Sequence, residues 1–142
     1  MSASQGPVAG RVVAIVRYPV KSMMGEELNA TEVTDHGLLG DRAYALIDAE
    51  TGKVASAKNP RRWPNLFDFR AAYVEPPRDA RPLPPVRITF PDGETLITDR
   101  ADAESRLSAG VGWTVRLARP AAGSATAEGY WPDHDWLAQR RD

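Results

Sequence analysis

The chain has 142 residues, a formal net charge of −1 and no cysteine. This length suits one domain with a buried core, and a net charge near zero excludes a general electrostatic attraction to nucleic acid or to an anionic membrane. Without cysteine, the chain has no disulfide, no thiolate metal site and no thiol nucleophile. Because no apolar run has the length of a signal-peptide core or a membrane span, we expect a cytoplasmic location.

The first half of the chain predicts short strands joined by turns. An apolar run predicts a first strand over about residues 11–17, and Pro19 ends it because proline cannot donate a hydrogen bond to a ladder. Rough alternation with β-branched residues predicts a second strand within residues 25–34. A third strand over residues 44–48 is followed by a hairpin turn and a predicted return strand over 54–57.

The second half predicts three further strand regions and one helix. Alternation over residues 66–74 predicts a strand that carries Phe67, Phe69, Ala71 and Tyr73 on one face. The turn sequence Pro91-Asp92-Gly93 lies between two apolar runs, so it predicts a β-hairpin over residues 86–98. A last strand is expected over residues 113–117.

One segment has the pattern of an α-helix. Asp99 suits the N-cap and Gly110 suits the C-terminal stop, which predicts a helix over about residues 100–109. The spacing of Ala103 and Leu107 places both on the inward face.

The expected fold class is mostly β. The economical architecture is a closed or nearly closed antiparallel barrel of short hairpins with one helix near residues 100–109, since closure removes exposed strand edges. A β-sandwich is the alternative. One domain is expected over residues 1–119, and residues 120–142 form a tail or the start of a linker, because their composition shifts to Ala, Gly, Ser and Pro.

Basic residues cluster in two segments. Before Glu26 every charged side chain is basic, and so is every one between Glu50 and Asp68. If the loop over residues 17–22, Arg42 and the loop over 58–62 meet at one end of the barrel, they form a positive pocket suited to phosphate or carboxylate. The simpler alternative is that the loops are solvated and that Arg42 forms an ion pair with Asp41.

No catalytic or metal site is predicted. His36 and His134 are the two histidines, and neither has a second ligand at metal spacing. No credible Ser/His/Asp set is present, and the adjacent Glu26 and Glu27 would point to opposite faces of a strand.

Four motifs occur in order within about residues 11–66. They are Tyr18-Pro19-Val20-Lys21-Ser22, Gly25-Glu26-Glu27-Leu28, Thr34-x-x-Gly37-Leu38-x-Gly40-Asp41-Arg42 and Ala57-Lys58-Asn59-Pro60-Arg61. With these motifs the chain resembles the N-terminal β-barrel domain of the MOSC superfamily, the molybdenum-cofactor sulfurase C-terminal-domain proteins, which include the mitochondrial amidoxime-reducing components.

The resemblance implies a role in binding a molybdopterin-type cofactor. It implies that Lys21, Ser22, Arg42, Arg61 and Lys58 contact the anionic pterin phosphate, although Lys58 stands where arginine is more usual in the family. The reactive cysteine of the family belongs to the C-terminal MOSC domain, which the resemblance places after residue 142. The isolated chain is therefore not expected to be catalytic, and the parent protein is expected to be an oxidoreductase or a sulfur carrier with that domain as partner.

A second function class remains open at this point. The barrel would then be a structural or interaction module that docks a partner domain without binding cofactor. Geometry separates the two. Convergence of Lys21, Ser22 and Arg42 around an open space favours the anion site, whereas Arg42 held by Asp41 and Lys21 directed into bulk water favour the module.

Overall fold

A computed structural model describes residues 7, 9–35, 37–79 and 81–119. Within these residues the chain forms nine short strands, one 3-10 helix over Leu66–Asp68 and one α-helix, α1, over Ala103–Val111. The predicted tail over 120–142 and both histidines lie outside the described residues. The strands are β1 (Ile15–Arg17), β2 (Glu26–Leu28), β3 (Val33–Thr34), β4 (Gly37–Leu38), β5 (Ala45–Asp48), β6 (Arg70–Tyr73), β7 (Val86–Thr89), β8 (Thr95–Ile97) and β9 (Val115–Ala118).

The predicted mostly-β architecture with one helix is confirmed, but closure into a barrel is not observed. The strands pair antiparallel in four separate sheets, β1-β2, β3-β4, β5-β9 and β6-β7-β8, and none of these described sheets closes on itself. Two parallel bridges, Val20 with Tyr44 and Met24 with Arg70, connect the chain after β1 to the residue before β5 and to β6. The bridge at Val20 does not extend back towards β1, because Pro19 has no N–H to continue a ladder.

The partner of β5 differs from the prediction. The expected return strand over 54–57 forms only one bridge, between Val54 and Ile47. Instead, β5 pairs along its whole length with β9, in a register that joins Ala45 to Ala118 and Asp48 to Val115. The hairpin turn after Asp48 is present, with hydrogen bonds from the Asp48 N–H to the Lys53 carbonyl at 2.8 Å and from the Gly52 N–H back to Asp48.

Two predicted strands near the N-terminus are wrong in extent. The first begins at Ile15 rather than at residue 11, and Val13 is 94% exposed. The predicted second strand is divided between β2 and β3, which belong to different sheets. Short apolar runs do not reveal whether a partner strand will cover them, so the pattern overestimates both elements.

The strand predicted over 66–74 is partly wrong. Residues 66–68 form the 3-10 helix, and the strand starts only at Arg70. Phe67 therefore leaves the buried face and is 61% exposed, whereas Phe69, Ala71 and Tyr73 are buried as expected. The hairpin of β7 and β8 is confirmed, with Ile88 paired to Leu96.

The helix lies about two to three residues later than predicted. Asp102, not Asp99, occupies the N-cap position. The helix ends at Val111, and the C-cap residue Gly112 adopts a left-handed φ of 87°. Gly110 remains helical and packs against the Phe90 ring, where a Cβ would approach within 2.8 Å. The inward face is confirmed, since Ala103 and Leu107 are fully buried.

One hydrophobic core joins two of the sheets, β5-β9 and β6-β7-β8, with the helix. These two sheets contribute alternate side chains to it, and the helix contributes the side chains of its inward face. Burial of such side chains supplies about 1.5–3 kcal/mol each. Its largest fully buried members are Phe69, Met23, Leu46, Leu66, Ile88, Leu96 and Leu107.

Candidate anion-binding site

The loop after β1 is fixed to the core by its apolar residues. Val20 and Met23 are fully buried, and the Lys21 N–H donates to the Tyr44 carbonyl at 3.0 Å. Ser22 lies between these anchors with a positive φ of 70°. A non-glycine residue in this left-handed region is uncommon, because its Cβ crowds the following carbonyl. The loop is thus held in one shape with Lys21 and Ser22 only partly buried.

A second loop carries Arg42 to the same place. Its Asp41 carboxylate accepts a hydrogen bond from the Tyr18 N–H at 2.8 Å and forms an ion pair with the Arg42 guanidinium. The guanidinium also lies 5.0 Å from the centre of the Tyr18 ring. Arg42 has a positive φ of 51°, and its side chain is 48% exposed. Asp41 therefore joins the two loops and orients the Arg42 side chain.

Tyr73 supports this second loop from the core. Its hydroxyl donates to the Gly40 carbonyl at 2.7 Å, and burial raises the pKa of the phenol well above its ordinary value. A Cβ on Gly40 would meet the Tyr73 ring at 2.9 Å, and Gly40 has a φ of 82°. Glycine is needed here both for the backbone conformation and for the close approach of the ring.

The third loop is attached directly to the first. The Ala57 N–H donates to the Ser22 hydroxyl oxygen at 3.0 Å, and the Lys58 N–H donates to the Ser56 hydroxyl oxygen at 3.2 Å. The Asn59 N–H closes the turn by donating to the Ser56 carbonyl. Ser22 therefore has a structural role as an acceptor, in addition to any ligand contact its hydroxyl makes.

The three loops enclose an open pocket of about 310 Å³. Four of the five residues carried over from the family motifs line it, and three of them are cations. No carboxylate is among the lining residues, although Asp41 lies just outside, paired with Arg42. Such a set of cations and a hydroxyl can bind an anion. The lining residues are Tyr18, Lys21, Ser22, Met23, Arg42, Ser56, Ala57, Lys58 and Phe67.

Arg61 is not brought into this pocket. Arg61 is exposed and is not among the residues that line the pocket. Its neighbour Arg62 also lies outside the pocket and binds other partners. The Arg62 guanidinium donates to Asp48 at 2.6 Å and to Glu50 at 3.1 Å. It also stacks 3.7 Å from the centre of the Trp113 ring, and the Trp113 indole N–H donates to the Arg62 carbonyl at 2.8 Å.

Arg62 forms its ion pair with a buried carboxylate, that of Asp48. Asp48 is only 2% exposed. Burial alone would raise the pKa of its carboxyl, but hydrogen bonds from Arg62 and from the Glu50 N–H outweigh burial and hold that pKa below its ordinary value. The hydrogen bond to Asp48 in turn raises the pKa of the Arg62 guanidinium.

Sequence reasoning missed two contributors to this region. Phe67 forms part of the pocket wall, but the alternating pattern assigns it to the buried face. The sequence groups Arg62 with Lys58 and Arg61 as loop charge, and no local signal identifies its distant partners. Asp48 is the last residue of an otherwise apolar strand, and this position was the available hint that its carboxylate is buried and needs a cation.

Arg17, from the same motif region, belongs to a different cavity of about 490 Å³. It is buried, bonds Glu26 at 3.0 Å and the Leu39 carbonyl at 3.4 Å, and lies over the Tyr73 ring. These partners satisfy a buried charge, so Arg17 is a structural residue.

Comparison with known proteins identifies one family. The profile of the MOSC N-terminal beta barrel domain matches residues 9–132. Searches of curated proteins and of solved structures each gave no match. In the part of the chain that the structure describes, no three metal-ligating side chains are grouped to hold an ion, and no helix has the length and apolarity to cross a membrane.

Proposed function

Because the chain belongs to the family of MOSC N-terminal beta barrel domains, we propose that its pocket binds the phosphate of a molybdopterin-type cofactor. Lys21, Arg42 and Lys58 supply positive charge, and the Ser22 hydroxyl, which accepts from Ala57 through its oxygen, supplies a proton for a hydrogen bond to the phosphate. When bound, such a cofactor supplies the redox or sulfur-transfer chemistry of an oxidoreductase or sulfur carrier, and these residues only bind and orient its phosphate.

The backbone conformation is the observation that carries this proposal. Among the described residues, Ser22 and Arg42 are the two non-glycine residues with positive φ, and both line the pocket. Each such conformation costs a non-glycine residue about 1–2 kcal/mol, which glycine would avoid. Strain of this kind concentrates at ligand sites, where a particular side chain is needed in a conformation that the surroundings impose.

The residues fit a phosphate but not a complete cofactor site. A volume of about 310 Å³ is at the lower end for small-molecule pockets, and this one is open. These 142 residues contain no cysteine, so they offer no thiolate ligand for molybdenum. The proposal therefore includes a C-terminal MOSC domain as the partner that completes the site and carries the chemistry.

Titration of inorganic phosphate into ¹⁵N-labelled protein tests the proposal. We expect amide shifts at Lys21, Ser22, Arg42 and Ala57, with a dissociation constant on the order of 1 mM that weakens as salt is added. Lys21→Gln should weaken binding by about threefold to tenfold, as expected for loss of one partly exposed charged contact. Shifts confined to other regions would show that the site is assigned wrongly.

Arg100→Gln is the matched control for charge. Like Arg42, Arg100 forms an ion pair with a nearby aspartate, Asp102, at 2.9 Å, but Arg100 does not line the pocket. Its loss changes the net charge by the same amount as Lys21→Gln. We expect phosphate binding to change by less than about twofold. An equal loss in both variants would mean that net charge, and not the pocket, attracts the anion.

The ion pair between Arg42 and Asp41 favours a second candidate, a docking module. In that case the cationic rim and the exposed Phe67 would contact an acidic surface of a partner domain, and phosphate would not bind. The candidates differ in one measurement. Cofactor binding predicts saturable phosphate shifts in the pocket, whereas the module predicts none and a loss of partner binding when Phe67 is replaced by serine.

A further inference from the structure

Arg62 lies on a loop, but its side chain has several protein partners and is not simply solvated. Its side chain bonds the hairpin after β5 through Asp48 and Glu50, and it stacks on Trp113, which lies between α1 and β9. Its main-chain carbonyl accepts from the same Trp113 side chain. One residue thus connects its loop to two elements that are distant in sequence.

These contacts hold one end of the loop that carries Lys58. At the other end, the Ala55 N–H donates to the Leu46 carbonyl at 2.8 Å, and the Ala57 N–H donates to Ser22. Between the ends, the Trp63 N–H donates to the Asn59 carbonyl at 3.0 Å. The turn over residues 56–63 is therefore attached on both sides, with Lys58 at the pocket and Arg62 outside it.

We propose that Arg62 is a positioning residue for the pocket: it fixes the turn over 56–63 so that Lys58 reaches the bound phosphate. This inference rests on the proposed function. Arg62 acts at a distance, because its guanidinium is occupied by Asp48, Glu50 and Trp113 and does not face the anion. A flexible lysine has many rotamers, so a fixed backbone lowers the entropy lost when its ammonium group meets the ligand.

The test is a double-mutant cycle on phosphate affinity with Arg62→Gln and Lys58→Gln. Arg62→Gln alone should weaken binding by about threefold, a coupling of the size found for residues in one network. In the Lys58→Gln background the same change should have no further effect. A merely structural or electrostatic role of Arg62 would lower affinity equally in both backgrounds, and that outcome would overturn the inference.

Two further measurements keep the test decisive. Amide hydrogen exchange at Ala57 should accelerate by about tenfold in Arg62→Gln, since the turn opens more often, and Arg62→Lys should restore part of both the protection and the affinity. If Arg62→Gln does not fold, Trp113→Phe removes the indole N–H to the Arg62 carbonyl and replaces the indole on which the guanidinium stacks by a smaller ring. It should weaken phosphate binding by about twofold, again only when Lys58 is present.

The outcomes separate this inference from the proposed function. If Lys21→Gln weakens phosphate binding and Arg62→Gln does not, the cofactor pocket stands and Arg62 has no positioning role. If the wild-type protein binds no phosphate, both ideas fail together. Unchanged exchange at Ala57 in Arg62→Gln would also overturn the positioning role, because the turn would then be fixed without Arg62.

Discussion

Replacing Arg42 by glycine and by alanine separates the backbone of the pocket from its chemistry. Both changes remove the guanidinium, its ion pair with Asp41 and its stacking on Tyr18. The two variants differ in how well residue 42 tolerates a φ of 51° and in the backbone entropy that residue 42 loses on folding. Their difference in unfolding free energy therefore measures the backbone strain minus that entropy difference.

The expected magnitude follows from two opposing effects. Glycine normally destabilises a folded chain by about 0.5–1 kcal/mol relative to alanine, because it loses more backbone entropy. The left-handed conformation costs alanine about 1–2 kcal/mol, and this cost outweighs the entropy loss of glycine. Arg42→Gly should thus be more stable than Arg42→Ala by about 0.5–1 kcal/mol, or about 2–5 °C in Tm for a domain of this size.

Urea and thermal unfolding measure the stability, and a phosphate titration measures the function. Both variants should lose affinity for phosphate alike, by about threefold to tenfold, because both lack the guanidinium. The reasoning is refuted if Arg42→Ala is as stable as Arg42→Gly or more stable. The positive φ would then carry no more strain than the entropy difference between glycine and alanine, about 0.5–1 kcal/mol, and the observation behind the proposed cofactor site would lose its force.

Three further predictions concern the supports of the pocket. Tyr73→Phe leaves the Gly40 carbonyl without its buried donor and should cost about 1–3 kcal/mol of unfolding free energy in urea; no cost would show that water replaces the hydroxyl. Lys58→Gln should weaken phosphate binding by about threefold, and Arg61→Gln by less than about twofold, because Arg61 is outside the pocket. A larger effect of Arg61→Gln than of Lys58→Gln would contradict the assignment of the pocket as the phosphate site. Because the pKa of Asp48 is lower in the folded protein than in the unfolded chain, the ionised carboxylate stabilises the fold above about pH 4, and this stabilisation is lost as the pH falls through the folded-state pKa. The difference in unfolding free energy between wild type and Asp48→Asn should therefore decrease only below about pH 4. A decrease at about pH 6 would contradict the lowered pKa.

Features set by neighbouring residues were predicted well from the sequence. The turn Pro91-Asp92-Gly93 fixes the β7–β8 hairpin, and the spacing of Ala103 and Leu107 fixes the inward face of α1. The helix start was misplaced because Asp99 and Asp102 offer the same N-cap chemistry three residues apart. Local chemistry identifies an element more reliably than its boundary.

Features set by distant residues were not predictable in the same way. Nothing local indicates that β5 pairs with β9 rather than with the residues after its own hairpin turn. The motifs identified three cations and one hydroxyl that line one pocket. They could not show that Arg61 lies outside it while Arg62 bonds Asp48. Which of the two adjacent arginines forms the buried ion pair depends on the position of the Asp48 carboxylate, and only the tertiary structure shows that position.

The pairing of β5 with β9 also governs the order in which the domain can fold. The two strands are about 70 residues apart, so closing this contact requires a long loop and is slow compared with formation of the β7–β8 hairpin. During synthesis, β5 cannot pair with β9 until residues 115–118 leave the ribosome, so one edge of β5 stays unpaired until then. Trp113 emerges just before them, and the turn that carries Lys58 therefore reaches its final place late.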